Sequence, residues 1–203
     1  MDLNDNLESF FNDDLKKTVE FHGHICPGLA YGYRVAKAAL KELGSKARDE
    51  ELVAIVENDS CSVDAIQVMT GCTFGKGNLI FRDLGKSVYT FLSRSTGKGV
   101  RISVDFKYDE TPEETAVRKK YLSGDRSDDV MESVSKSKAK KVRSILAAPE
   151  DELMKKTAAS EALPDKARLY PSVHCSSCGE KTMEPRIRLK GGKLVCISCA
   201  KSL

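Results

Sequence analysis

No apolar run among the 203 residues approaches the ~18 needed to cross a bilayer, which excludes a membrane-spanning helix. The start of the chain lacks the cationic and apolar regions of a secretory signal. Asp2, Asp5, Glu8, Asp13 and Asp14 make it acidic and amphipathic, and the chain is read as cytoplasmic. No internal repeat is present, so an array of repeated units is excluded. Histidine is scarce, with three residues in all. Gly71-Cys72-Thr73-Phe74-Gly75-Lys76-Gly77-Asn78 is rich in glycine and carries a lysine, yet it lacks the Walker A spacing. Three residues rather than four separate the first glycine from Gly75-Lys76, and Gly77 stands where Ser or Thr is required. That excludes a nucleotide-binding P-loop and leaves a glycine-bent pocket wall.

What is present describes one medium domain with a core and a small appendage, at 40% hydrophobic and 31% charged residues. The boundary is placed between 165 and 166. Seven cysteines are an odd set, and four of them form two CxxC pairs, which in a reducing compartment argues for metal over disulfides. The charge is uneven. From Val173 onward six Lys/Arg face two Asp/Glu, a net of +4, whereas the rest carries 27 against 28, a net of −1.

Leu7, Phe11, Leu15, Thr18 and His22 recur at three- and four-residue steps, with Phe10 and Val19 beside them, and predict an amphipathic helix. Leu29, Tyr33, Ala36, Leu40 and Leu43 predict a second helix from Pro27, closed by Gly44. On it Gly28 and Gly32 favour close helix packing over a ligand lying against exposed backbone. Leu52 to Glu57 reads as a buried strand. It leads to Asn58-Asp59-Ser60-Cys61, where Asp59 or Ser60 would cap a helix ending at Thr70-Gly71. Asn78 to Asp83, Ser87 to Ser93 and Gly99 to Phe106 are β-prone. With the Leu52 strand they predict an α+β fold with a mostly antiparallel sheet and helices packed on it. Thr111 to Ala147 reads as helical and charged, its Ser133–Lys141 run as a solvated face or linker in preference to a nucleic-acid surface. A last helix is expected over about 149–163.

Two stretches carry chemistry. Phe21-His22-Gly23-His24-Ile25-Cys26-Pro27-Gly28 gathers two histidines and a cysteine into five residues. If extended, it points His22, His24 and Cys26 to one side, a ligand set for zinc, copper, nickel or iron. A cysteine before a Pro-Gly helix start would feel the positive helix end and ionise more easily. The same residues would also serve as a tight loop with a capping histidine and an inert thiol. Cys61, in the first turn of the next predicted helix, is a second cysteine of this type.

The other stretch is the tail. Cys175-Ser-Ser-Cys178 and Cys196-Ile-Ser-Cys199, 17 residues apart, have the spacing of a four-thiolate zinc site. A knuckle ending at Gly179, a hairpin turning at Gly191-Gly192 and the closing Ala200–Leu203 segment predict a zinc ribbon or treble clef. So few large apolar residues leave metal binding, worth on the order of 10–16 kcal/mol in small zinc modules, to supply its fold. His174 is surplus to four cysteines and is read as supporting the site from outside or facing solvent. The charge from Val173 onward permits nucleic-acid contact, but that stretch has no Phe, Tyr or Trp for base stacking, which counts against that use.

His22-Gly23-His24-Ile25-Cys26-Pro27-Gly28, then Cys61-Ser-Val-Asp64-Ala65-Ile66-Gln67, then Thr70-Gly71-Cys72-Thr73-x-Gly75-Lys76-Gly77-Asn78 resemble, in order, the motifs of the FmdE family. Its namesake is the E component of the molybdenum/tungsten formylmethanofuran dehydrogenase. The resemblance covers roughly residues 10–165, and some members carry a C-terminal zinc module. It implies an α+β core, a homodimer, and a link to C1 metabolism in methanogenic or related anaerobes, with the pterin-metal chemistry on other components of that enzyme.

If residues 61–71 form one helix, Cys61 and Cys72 lie about 16 Å apart along it and cannot share an ion. The expected core site is therefore a transition metal held by a subset of His22, His24, Cys26 and Cys61, with a coordination position open to substrate or water. Cys72 would line the pocket wall. Two functions follow: a metal-dependent component or accessory factor of a larger C1 oxidoreductase, or a non-catalytic module whose zinc tail docks a partner protein or nucleic acid. A third, in which the core cysteines carry sulfur or metal to a client enzyme, is permitted.

Overall fold

The computed structural model describes residues 8–44 and 46–201. Leu7 of the first predicted stripe and Ser202 and Leu203 of the closing segment lie outside them. The chain forms two compact units, Met1–Lys166 and Ala167–Leu203.

The first unit opens with a 3-10 turn, Glu8–Phe10, and the helices α1 (Asp13–His22) and α2 (Pro27–Leu43). The α1 helix starts where the Asn12 side chain accepts from the Leu15 amide, and α2 starts at proline. Then come β1 (Leu52–Val56), α3 (Ser62–Thr70), β2 (Leu79–Phe81), β3 (Val88–Ser93) and β4 (Gly99–Val104). α4 (Pro112–Leu122), α5 (Asp128–Ala147), the one-turn α6 (Glu150–Leu153) and β5 (Met154–Ala158) complete the unit. The strand order is β2-β1-β3-β4-β5, antiparallel throughout except for the parallel β1–β2 pair that α3 connects.

Alternation along the strands divides the sheet's two faces. Leu52, Ala54 and Val56 of β1, Tyr89 and Phe91 of β3, and Val100 and Ile102 of β4 join the main core with the helices. Val53, Ile55 and Leu92 point to the opposite face, where Ile80 and Ala159 pack on them. β1 is buried along its whole length, as its unbroken apolar run requires.

One expectation fails. The helix expected over 149–163 ends after one turn, and Met154–Ala158 pairs with Val104–Val100 as an edge strand. Without it β4 would leave a row of peptide groups unpaired, and pairing outweighs the local helical composition. The charged segment is helical, as expected, and forms two helices. Ser123 and Gly124, the latter at φ 98°, separate α4 from α5. A capping box between Thr111 and Glu114 opens α4.

The Ser133–Lys141 run is half-buried or exposed throughout, and α5 is anchored beyond it. The half-buried guanidinium of Arg34 on α2 donates to the carbonyls of Ile145 (2.7 Å), Leu146 (2.8 Å) and Ala148 (2.8 Å). It thereby satisfies the C-terminal acceptors of α5 and fixes that helix against α2. Burial lowers the Arg34 pKa.

The second unit contains the hairpin β6 (Ser172–His174) and β7 (Lys181–Met183), a 3-10 turn at Glu184–Arg186, the hairpin β8 (Ile187–Lys190) and β9 (Lys193–Cys196), and α7 (Ile197–Lys201). Gly191 and Gly192, at φ 56° and 75°, make the two-residue turn that joins β8 to β9. Among the described residues no helix is long and apolar enough to cross a membrane.

Candidate metal centres

The core centre forms where three helix ends meet. Its first segment is not extended. His22 is the last residue of α1, and Gly23, at φ 90°, caps that helix with its amide 2.7 Å from the Val19 carbonyl. Three residues later Cys26 becomes the N-cap of α2, its sulfur accepting from the Leu29 amide at 3.3 Å. The reversal at Gly23 does what strand alternation was expected to do. The donor atoms of His22, His24 and Cys26 lie within 4.8 Å of one another. His22 Nε2 is 3.9 Å from the Cys26 sulfur, and the two imidazole centroids are 4.7 Å apart.

Cys61 lies outside that trio but beside it. It is the N-cap of α3, in place of Asp59 or Ser60, and its thiol makes no capping bond to the helix. A Cβ added at Gly28 would stand 3.1 Å from the Cys61 Cβ, and one at Gly32 would stand 2.1 Å from the Ser62 carbonyl oxygen. The two glycines thus let α2 approach α3 closely enough to set Cys61 next to Cys26. Burial pushes the Cys26 thiol above its ordinary value, the Leu29 amide opposes this, and Cys61 adds to the rise. The expectation of an easily ionised Cys26 is corrected accordingly: the positive helix end is outweighed by desolvation and a second thiol.

The residue that sequence reasoning missed is Asp64. Its Oδ2 accepts from His22 Nδ1 at 2.7 Å, and Gln67 Nε2 donates to its Oδ1 at 3.5 Å. A carboxylate on Nδ1 holds the proton there and leaves Nε2, the nitrogen facing Cys26, with its lone pair free. This is the usual way a ligating imidazole is oriented and made more basic. Asp64 was discoverable, because it stands three residues after Cys61 in the same helical turn and so on the same side.

Cys72 is corrected as well. It is fully buried in the main core, its thiol donates to the Leu52 carbonyl at 3.3 Å, and burial raises it to about 11. It follows Gly71, the C-cap of α3, at the far end of the helix that Cys61 begins. The glycine-rich loop after it is tied to the start of β1, where Asn78 Nδ2 donates to the Asp49 and Leu52 carbonyls. Cys72 is a packing thiol of the core rather than part of a pocket wall.

The donor set suits a first-row transition ion. Two imidazoles and a thiolate, with a second thiol adjacent, form a mixed N/S site. With bonds of about 2.0–2.3 Å, ligand atoms around one ion stand roughly 3.3–3.8 Å apart, which modest side-chain rotation reaches from the present spacing. Three protein ligands leave the fourth position of a tetrahedral site exchangeable.

In the second unit the sulfurs of Cys175, Cys178, Cys196 and Cys199 also lie within 4.8 Å of one another. The knuckle between β6 and β7 supplies Cys175 and Cys178, the end of β9 supplies Cys196, and the first turn of α7 supplies Cys199. The Gly179 amide closes the knuckle on the Cys175 carbonyl at 2.9 Å. Backbone amides aim at sulfur, Cys196 and Ser177 at Cys175 (3.3 and 3.4 Å) and Cys199 at Cys196 (3.5 Å). Amide hydrogen bonds from Cys178, Cys196 and Ser177 draw the Cys175 thiol down to about 6. Knuckle, hairpin and helix make a treble clef. His174 is solvent-exposed.

Comparison with known proteins fits both units. A family model described as "FmdE, Molybdenum formylmethanofuran dehydrogenase operon" matches residues 21–155, and "Prokaryotic dksA/traR C4-type zinc finger" matches 168–203. A curated relative from Archaeoglobus fulgidus, a probable S-adenosyl-L-methionine-binding protein, is 34% identical over 198 residues, covering 93% of this chain and 52% of the relative. The chain thus spans about half the length of that protein. The crystal structure of a tungsten formylmethanofuran dehydrogenase FmdE-like protein from Syntrophus aciditrophicus shares the fold. Its TM-score is 0.59 at 24% identity, over 92% of this chain and 90% of that one.

Proposed function

The chain belongs to the FmdE family and carries a C4-type zinc-finger module, and from that premise we propose that it is a metal-binding accessory protein of a molybdenum- or tungsten-dependent C1 redox system. In this reading three of His22, His24, Cys26 and Cys61 hold one transition ion in the core, and the four tail cysteines hold a structural zinc. The core ion would supply a Lewis-acidic centre with one exchangeable position. The protein's part is to present the donors: Asp64 sets the His22 tautomer, the α2 N-terminus positions Cys26, and Gly28 and Gly32 admit Cys61. A cytoplasmic homodimer that associates with a larger oxidoreductase belongs to the same reading.

The observation that carries it is the Asp64–His22 contact of 2.7 Å behind the His/Cys trio. A loop histidine and a buried inert thiol would not need a carboxylate holding Nε2 free. The experiment is metal content per chain after anaerobic purification. Two ions in the wild type, falling to one in a His22→Ala/Cys26→Ser double variant, is the expected result. Equal metal content in both proteins would refute the core site. Co-purification of a large oxidoreductase and a dimer mass by light scattering test the assembly.

A second reading rests on the zinc module, where the net charge of +4 from Val173 onward accompanies exposed Met183, Leu189 and Leu194. It would dock a partner or nucleic acid. Salt-sensitive binding to an oligonucleotide, lost on removing the module, would favour it. Calorimetric titration with S-adenosyl-L-methionine tests whether the capacity in the Archaeoglobus protein's name resides in the half shared here.

A further inference from the structure

We propose that the core centre opens into a binding cavity for a small organic anion with an aliphatic body, and that Lys138 is the residue that selects its charge. The proposal rests on the reading of the core as a metal site and names the ligand class that site would take. A cavity of about 450 Å³ adjoins the trio, with His24 and Cys26 in its wall and α5 along its other side. That volume lies in the range of small-molecule sites.

The face of α5 turned to this cavity explains the choice of ligand. Met131, Val134, Lys138 and Val142 follow at steps of three, four and four, which places them on one side of the helix, and all four line the cavity. Three of them are apolar, and Val19 and Ile25 across the cavity extend the apolar wall. The lysine interrupts this stripe where a further aliphatic residue would continue it. Other charged side chains of the same helix are paired, Lys136 with Glu132 at 2.6 Å and Lys140 with Glu114 at 3.2 Å. Lys138 has no carboxylate within 4.0 Å among the described residues; it borders both this cavity and a neighbouring one beside α4, where its ammonium stands 5.8 Å from the Tyr121 ring centroid. Ser135 adds one hydroxyl to the cavity wall. Metal donors at one end, aliphatic walls, and a cation with no counter-ion together fit a ligand with a metal-binding head, a short carbon chain and an anionic terminus.

The test uses the full-length protein loaded with cobalt(II), which reports new thiolate ligands through a near-ultraviolet charge-transfer band. The four-cysteine site has no vacant position, so added thiol is read at the core alone. The probes are 3-mercaptopropionate, which has a carboxylate, and 2-mercaptoethanol, which does not. In Lys138→Met, affinity for 3-mercaptopropionate should fall about five-fold, the size of an ion pair at a partly open rim. Affinity for 2-mercaptoethanol and the cobalt content should not change, and Lys138→Arg should restore carboxylate binding. Equal weakening of both probes, or an unchanged preference in Lys138→Met, would overturn the assignment to Lys138 while leaving the metal site standing. No band with either thiol in the wild type would overturn the open metal site and this proposal with it.

Discussion

Asp64→Asn is the substitution that separates a metal-positioning carboxylate from a helix-stabilising one. Asp64 sits in the first turn of α3, where a negative charge near the helix N-terminus contributes roughly 0.3–1 kcal/mol to folding. It also accepts the 2.7 Å hydrogen bond from His22 Nδ1. Asparagine keeps the shape but loses the charge, and its amide can present NH₂ to Nδ1 and favour the opposite tautomer. The proton then moves to Nε2, the nitrogen that faces Cys26. Loss of such a partner behind a ligating histidine weakens metal binding by about 10- to 100-fold, or roughly 1.4–2.7 kcal/mol. The two roles therefore predict different quantities. If Asp64 only supports the helix, stability falls by under about 1 kcal/mol and metal affinity is unchanged. If it orients the ligand, affinity falls by more than stability does.

The assay is competition for zinc or cobalt against a chromophoric chelator, with denaturant unfolding of the same preparations. The second-unit cysteines serve as an internal reference, because Asp64 lies outside that unit and their affinity should be constant. Asp64→Glu, which keeps the charge with a longer reach, should recover part of the loss. Unchanged core affinity in Asp64→Asn, with stability altered as the helix effect requires, would refute the orienting role.

Gly32→Ala places a methyl 2.1 Å from the Ser62 carbonyl oxygen and 2.6 Å from its Cα, both backbone atoms that cannot turn aside. The gain of about 1 kcal/mol in helix propensity is outweighed by an overpacking cost of roughly 1–3 kcal/mol or more; thermal unfolding should show net destabilisation, with weaker core-metal binding because α3 carries Cys61 and Asp64. Cys72→Ala should lower stability by about 1–2 kcal/mol, as a small buried side chain does, and leave core-metal stoichiometry unchanged; a loss of metal would return Cys72 to the site. Tyr108 ionises only at about 12, because burial and its 3.0 Å hydrogen bond to Glu114 both favour the neutral phenol. The stability this gives is complete below the unfolded tyrosine value near 10 and is lost as pH rises toward 12. Glu114→Gln should bring the phenol's titration down in an NMR-monitored pH series, with burial keeping it above 10.

Features written within a few residues of themselves were legible in the sequence. Gly44 and Gly71 end two helices, and Pro27 begins one, because these residues act on their own backbone. The apolar run from Leu52 and the two CxxC pairs declared a buried strand and a zinc module for the same reason. The misjudged features depend on partners distant in the chain. Met154–Ala158 has no strand pattern of its own and becomes one because β4, 50 residues earlier, has a free edge. What anchors α5 was equally hidden, because the contact comes from Arg34, more than 100 residues away. Cys26 and Cys72 show the limit from the other side. Both precede or follow a helix end and look alike in one dimension, yet one thiol faces His22 and Cys61 while the other is sealed beneath β1. What separates them is the close approach of α2 to α3. Gly28 and Gly32 are the sequence trace of that approach, since their missing side chains are what bring Cys61 and Asp64 to the histidines. The motif His22-x-His24-x-Cys26 thus supplies the donors, but it becomes a candidate site only through two glycines that donate nothing.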